Sequence, residues 1–368
     1  LTADTVGSKA VAIGFRSLGA QNYGTATDSL NTAVGYDSAR SVTTGIFNTI
    51  IGGLAGDSLT DADYNVAVGK SALTTETLGS RSTAIGTSAL SNQNNTTATD
   101  VYNTAVGFEA GGSVTTGERN TLVGGLAGDA LTTGNNNVAV GFGALSDDTL
   151  GDRNVAIGVS ALEQQNFTTT TDSYNVAVGY NAGLTVTTGV KNTLIGGLAG
   201  DALTTAGNNV AIGYQAHSTD DLGSRNVSVG TEALSDMNFA TATDSYNVAV
   251  GDQAGKRVTT GISNTLIGGL AGDALTDADY NVAVGINALT TETVGSNSVA
   301  IGASALQDQN MGTATDAYNT AVGHAAGLSV ATGTSNTLLG GLAGDALTTG
   351  QENTVVGRSA LTAEVAGR

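Results

Sequence analysis

Apolar and polar positions alternate over a few residues at regular intervals along the chain, in a string of the form N-[TV]-x-[VIL]-G-x-x-A. We number the columns of this string from the Asn, which is column 1. Twenty such strings occur; column 5 is Gly in all twenty, and column 4 is always Val, Ile or Leu. Because side chains two residues apart point to the same side of a strand, columns 2 and 4 predict a short β-strand that ends at the Gly.

The spacing of the strings shows a longer repeat. Column 1 falls at positions 10, 31, 48, 65 and 82 and continues to 353. One 21-residue interval is followed by three 17-residue intervals. The four intervals together make a 72-residue unit, which then repeats. A second apolar stretch in each interval, such as residues 198–203, indicates a second strand. One interval is therefore one turn, or coil, of a parallel β-solenoid. We predict an all-β fold in which residues 1–368 form a single continuous solenoid of five 72-residue units with no cap at either end. End-to-end continuation with another subunit would follow.

Column 3 suggests how the solenoid assembles. It lies on the side of the strand opposite columns 2 and 4, yet it is also apolar: a small residue in most coils and a large one in the coils that contain the sequence LAGD. A coil has a single interior, so a second apolar face requires another chain. This predicts a homotrimer with five large side chains packed along its axis: Ile50, Leu122, Leu194, Leu266 and Leu338.

The composition excludes several classes of protein. A net charge of −19 repels nucleic acid, and the chain has no Cys for disulfides or thiol chemistry. No apolar run is long enough to insert this segment into a membrane. With 53 Gly, no Trp and 6 Phe, the chain also lacks the large side chains of an ordinary globular core.

The strings NVAIGVSA (154–161) and NVAVGYNA (175–182) resemble the head repeats of trimeric autotransporter adhesins and related repeats of bacteriophage tail fibres and other surface fibres. The resemblance implies a left-handed β-roll, three chains per fibre and an extracellular location on a cell-surface appendage or a virion. We therefore expect a structural segment that extends or presents binding surfaces for attachment. The alternative is an adhesin that itself binds a receptor protein or a glycan on a host surface.

The 21-residue coils are the best candidates for such contacts, because insertions in a solenoid form loops on one face. One position of these loops is bulky in four of the five copies, as Tyr23, Phe167, Phe239 and Met311, and is Asn95 in the other. These side chains either project toward a partner or fold down over the neighbouring coil.

Other chemistry is weakly indicated. The LAGD aspartates recur every four coils, which is about 19 Å at ~4.8 Å per coil. They are too far apart to share a calcium ion, even with Asp61 and Asp63 nearby. Their positions are 57, 129, 201, 273 and 345. We expect no metal and no cofactor, and we expect the Asn column to form a ladder of stacked amides. His217 and His324 fall in different columns, and no catalytic set of residues accompanies them, so we predict that the chain is not an enzyme. An ice-binding solenoid and a hexapeptide-type acyltransferase are remote alternatives.

Overall fold

The computed structural model describes residues 4–363, and these residues form strands, turns and bends. The chain divides into two units, Leu1–Asn181 and Ala182–Arg368. In both units the three residues of columns 2, 3 and 4 form a β-strand, as the alternating pattern predicts. A parallel β-solenoid built mainly from 17-residue turns is thereby confirmed within each unit.

The first unit contains ten of these strands, each paired in parallel with the next. Pairing is in register, so that Val11, Ala12 and Ile13 lie beside Thr32, Ala33 and Val34 of the following coil. Each column therefore becomes a straight row of equivalent residues. The strands are Val11–Ile13, Thr32–Val34, Thr49–Ile51, Val66–Val68, Thr83–Ile85, Thr104–Val106, Thr121–Val123, Val138–Val140, Val155–Ile157 and Val176–Val178.

The second unit repeats this arrangement. Its strands also pair in parallel and in register, as where Thr193, Leu194 and Ile195 lie beside Val210, Ala211 and Ile212. The strands are Thr193–Ile195, Val210–Ile212, Val227–Val229, Val248–Val250, Thr265–Ile267, Val282–Val284, Val299–Ile301, Thr320–Val322, Thr337–Leu339 and Thr354–Val356.

The predicted second strand of each coil is wrong for residues 198–203, which form turns. These turns nevertheless stack through backbone hydrogen bonds between coils, as from the Gly200 N–H to the Ala216 carbonyl (2.9 Å). Short parallel strand pairs occur only beside the long coils of the described chain. They are Gly7–Ser8 with Thr27–Asp28, Gly79–Ser80 with Thr99–Asp100, Gly151–Asp152 with Thr171–Asp172, Gly223–Ser224 with Thr243–Asp244, and Gly295–Ser296 with Thr315–Asp316.

The core of each coil is filled by complementary large and small residues. Column 3 points inward, and where it is large, column 9 is Gly. A Cβ added at Gly56 would lie 2.8 Å from Leu59 Cδ1 and 3.2 Å from Ile50 Cδ1, so the glycine makes room for both side chains. Where column 3 is Ala, as in Ala67, column 9 is often Leu, and Leu73 is fully buried. Large and small residues at columns 3 and 9 thus complement each other in the narrow interior.

The invariant Gly of column 5 has a steric cause. At Gly141 the φ angle is +140°, a region that disfavours residues with a Cβ, and an added Cβ would overlap the backbone of Gly158 in the next coil. The same close approach recurs from coil to coil within each unit. Glycine at column 5 is therefore required by the stacking of the chain on itself.

The Asn column forms the expected ladder. The backbone N–H of Asn137 donates to Asn120 Oδ1 (2.9 Å), and the Asn137 side-chain amide donates to the carbonyl of Gly151 in its own coil (2.8 Å). These asparagines are fully buried, so each bond replaces water that the amide has lost. The ladder fixes the register between coils.

Candidate contact face and buried polar column

The orientation of the strands corrects the predicted axis residues. Ile50, Leu122, Leu194, Leu266 and Leu338 are at most 1% exposed, because the coils of their own chain cover them. The prediction that these five side chains pack along a trimer axis is wrong. Columns 2 and 4 form the second apolar side, and they point away from the interior.

Exposed large apolar side chains are concentrated on one face of each unit. The side chains that point outward follow a period of two along each coil. They occupy columns 2, 4 and 6 and the residue before column 1, which we call column 0. We call these four columns the outer face. Apart from Val6 and Leu361, every exposed large apolar side chain of the described residues lies on it. Column 0 contributes Leu30, Phe47, Tyr64, Tyr102, Tyr174, Tyr246, Tyr280 and Tyr318; column 2, Val11; column 4, Ile13, Ile51, Ile85, Ile157, Ile195, Ile267, Ile301, Val322, Leu339 and Val356; and column 6, Phe15, Tyr36, Phe108, Phe142, Val159, Tyr180, Tyr214 and Ile286.

Column 0 forms one rim of the outer face and carries stacked aromatic and cationic side chains. The rings of Phe47 and Tyr64 stack with centroids 4.9 Å apart, and the guanidinium of Arg81 lies 4.8 Å from the Tyr64 centroid. Arg81 also pairs with Asp100 of the next coil (2.9 Å). The exposed rim thus carries cation–π and ionic contacts, each weak because of its exposure.

The bulky residues of the long coils do not project. Tyr23, Phe167, Phe239 and Met311 are 5–9% exposed, and the hydroxyl of Tyr23 donates to the Gly45 carbonyl (2.7 Å). Of the two alternatives, these side chains follow the one in which they fold down over the neighbouring coil, because burying their apolar area there is more favourable than exposing it. The loops expose small polar residues instead, such as Thr96 and Thr168.

A buried polar column was missed by the sequence analysis. In column 12 of four coils a carboxylate is fully buried, in Glu76, Asp148, Asp220 and Glu292. In three of them a Gln of the following coil donates to that carboxylate: Gln93 to Glu76 (2.8 Å), Gln165 to Asp148 (2.6 Å) and Gln309 to Glu292 (2.9 Å). Backbone N–H groups complete the shell, as from Gly79 to Glu76 (2.7 Å). Each acid is therefore satisfied inside the solenoid.

The fourth carboxylate has a different partner. The residue that would be Gln is Met237, and the column 9 Leu of the equivalent coils is replaced by His217. His217 Nε2 lies 3.0 Å from Asp220 Oδ2, and both side chains are fully buried. The Nδ1 atom of His217 has no hydrogen-bond partner. Two changes within one repeat thus exchange an amide–carboxylate pair for a histidine–carboxylate pair.

The pKa of Asp148 and the pKa of Asp220 shift in opposite directions. Burial raises the pKa of Asp148, and the hydrogen bond from Gln165 only partly offsets this. Burial also acts to raise the pKa of Asp220, but the hydrogen bond and charge of His217 outweigh it, so that this pKa is lowered. The Asp220 carboxylate is therefore the more firmly charged of the two.

The acidic surface groups show little that would hold a ligand. Among residues 4–363, no group of three or more His, Asp or Glu side chains is arranged to bind a metal ion. Burial raises the pKa of Asp129 and of Asp201, two of the LAGD aspartates. A cleft of about 470 Å³ lies beside one long coil, lined by Asp61, Asp63, Ser80, Ala98, Thr99 and Asp100.

No protein-family model matches this chain, and no curated protein is significantly similar to it. Within the described residues there is no helix that is long and apolar enough to span a membrane. The likeness to adhesin and tail-fibre repeats thus stays a prediction from the coil motif.

Proposed function

We propose that the chain is a structural fibre segment that works as a homotrimer outside the cell, on a surface appendage or a virion. Its role would be to extend or present binding surfaces for attachment. The outer face carries the proposal: exposed apolar patches that are contiguous and confined to one side of a protein mark contact with a partner. The trimer contact would use columns 2 and 4 rather than column 3.

The chemistry of the face suits association between rigid chains. Column 4 holds Val, Ile or Leu in every coil, and column 2 holds Val or Thr, so the centre of the face contains no charged side chain in any coil. Charged side chains, such as Arg81 and Lys70, occur in the rim columns. An uncharged centre with polar groups at the rim is the usual composition of a protein–protein interface.

The mass of the chain in solution tests this proposal. Sedimentation or light scattering should give about 109 kDa, three times the chain mass of 36.2 kDa. Lys at two outward column 4 positions, Ile85→Lys and Ile157→Lys, should lower the mass to that of one chain, because each would place an unpaired charge at a dry contact.

A matched control places the same charges elsewhere. Thr96 and Thr168 have the same 72-residue separation as Ile85 and Ile157, and both are exposed in the long-coil loops. Thr96→Lys with Thr168→Lys should leave the trimer intact. A wild-type chain that stays monomeric at high concentration would refute the proposed assembly.

A further inference from the structure

The second glycine of the Gly-Gly pair in each LAGD coil is not required by the backbone conformation of its own chain. It occupies column 6, as Gly53, Gly125, Gly197, Gly269 and Gly341. None of the five has a positive φ, unlike the column 5 glycine before it. The same column holds Phe142, Val159 or Ile286 in other coils. The backbone conformation of column 6 therefore accepts a side chain.

Space does not explain these glycines either. A Cβ added at Gly125 would lie 3.5 Å from the Phe142 ring, and one added at Gly53 would lie 4.0 Å from the nearest atom, the Tyr36 carbonyl oxygen. Both distances are ordinary van der Waals contact or more. Glycine also costs roughly 0.5–1 kcal/mol relative to Ala through the entropy of the unfolded chain. Nothing within the chain offsets this cost at the five glycines. We therefore infer that a partner outside the chain requires the space that a side chain would occupy.

Each glycine forms a notch in the rim of the outer face. Gly125 lies between Phe108 and Phe142, whose side chains are 55% and 59% exposed and stand on either side of it. We propose that these notches receive side chains from a second copy of this chain. This inference rests on the proposed self-association and states where the copies interlock.

The spacing of the notches identifies the occupant. Gly53 and Gly125 are separated by one 72-residue unit, or four coils, which corresponds to about 19 Å along the stack. A partner that fills both must present projections with the same spacing. A second copy of the chain has that spacing by construction, because its own sequence renews at the same interval.

The opposite rim supplies the projections. When identical chains close into a ring, one rim of each chain meets the other rim of its neighbour. Column 0 of the LAGD coils carries Phe47, Arg119 and Lys191 in three of five copies and Ser in the other two. Arg119 is exposed, with 57% of its side chain accessible. In a parallel, in-register ring, Arg119 of one copy would enter the Gly125 notch of the next.

Filling the notches tests the inference. The variant with Leu at all five glycines should keep its β-sheet circular dichroism, because within one chain an added Cβ comes no closer than van der Waals contact, and the rings it meets, as of Phe142, are exposed. Its dissociation constant for self-association should rise at least about tenfold, equivalent to ~1.4 kcal/mol, with Gly125→Ala intermediate. Gly24→Leu is the matched control, since Gly24 lies in a long-coil loop with no atom within 4 Å of its added Cβ.

An exchange of projection and notch provides a second readout. Gly125→Leu combined with Arg119→Gly should associate more tightly than Gly125→Leu alone, because the small residue now faces the large one. If the five-fold variant forms trimers as tightly as wild type and Gly24→Leu do, the notches are unoccupied and the inference is wrong, while the proposed function stands. A monomeric wild type would overturn the proposed function itself. If the five-fold variant does not fold, the space within one chain is not free, and the inference fails.

Discussion

Replacing His217 by Leu should destabilise the second unit, and adding Met237→Gln should restore it. His217 is the side-chain donor to Asp220 Oδ2 at 3.0 Å, and the remaining contacts of this carboxylate are backbone N–H groups on Oδ1, such as that of Gly223 (3.1 Å). His217→Leu leaves the buried Oδ2 atom without that donor. Position 237 is equivalent to Gln165, which donates to Asp148 in the preceding repeat, so Gln at 237 would be placed to donate to Asp220.

The expected magnitude follows from these contacts. A hydrogen bond to a charged group contributes about 1.5–3 kcal/mol, and breaking a buried pair costs about 3–5 kcal/mol. Leu at this column is fully buried in Leu73, Leu145 and Leu289, so its packing offsets part of the loss. We expect His217→Leu to lower the local stability by about 2 kcal/mol, and the double variant to recover most of this.

Hydrogen exchange is the appropriate assay, because repeat proteins often open locally rather than in one step. The amides of Leu222 and Gly223 donate to Asp220 Oδ1 and report opening of this site. His324→Leu, at an exposed position, should change their exchange little. If the double variant is no more protected than His217→Leu alone, Gln does not replace His and the reasoning is refuted.

The pH dependence should change sign between the two pairs. The pKa of Asp220 is lowered by folding, so the stability it contributes is present above the unfolded pKa of about 3.9 and is lost as pH falls through the folded value. The pKa of Asp148 is raised, so its contribution is complete below about 3.9 and is lost as pH rises through the folded value. The double variant should therefore gain stability relative to wild type as the solution becomes acidic.

Two further changes test the packing. Gly141→Ala should destabilise the chain by several kcal/mol in thermal or urea unfolding, because its Cβ would overlap the Gly158 backbone. Gly125→Ala, whose Cβ would only make van der Waals contact with the Phe142 ring, should be tolerated within one chain. Phe167→Ser should cost about 3 kcal/mol through the cavity it leaves, and Tyr180→Ser, at a side chain 61% exposed, should have little effect on unfolding.

The coil and its strand could be predicted because their signals are local. Val155, Ala156 and Ile157 alternate with a period of two and end at Gly158, and this pattern specifies a strand and its end. The pattern shows which side chains share a face, but both faces are apolar here, so it could not show which face is inside. Ala156 is buried beneath the coil together with Leu162 of column 9, while Val155 and Ile157 are on the more exposed side.

The buried polar column was readable in principle. Column 12 reads Val42, Leu59, Glu76 and Gln93 in successive coils, so that a charged residue and an amide occupy positions otherwise filled by apolar ones. His217 and Met237 also stand where the other copies have Leu and Gln. The tight packing of Phe167 could not be read in this way, because loop conformation depends on contacts that no short motif encodes.

The buried pairs limit how the length of this protein can change during evolution. Within each unit the column 5 glycines, and the Asn ladder wherever column 1 is Asn, join one coil to the next in the same way, so by these contacts alone a single 17-residue coil could be lost or gained. Glu76 and Gln93, however, lie in consecutive coils, and removing the coil that carries Gln93 would set Val114 against the carboxylate. Removing a whole 72-residue unit keeps each acid opposite the equivalent position of a later unit, which is Gln in every copy except Met237. Duplications and deletions of the gene that leave a foldable product should therefore occur in whole super-repeats, even though the coil is the smallest structural module.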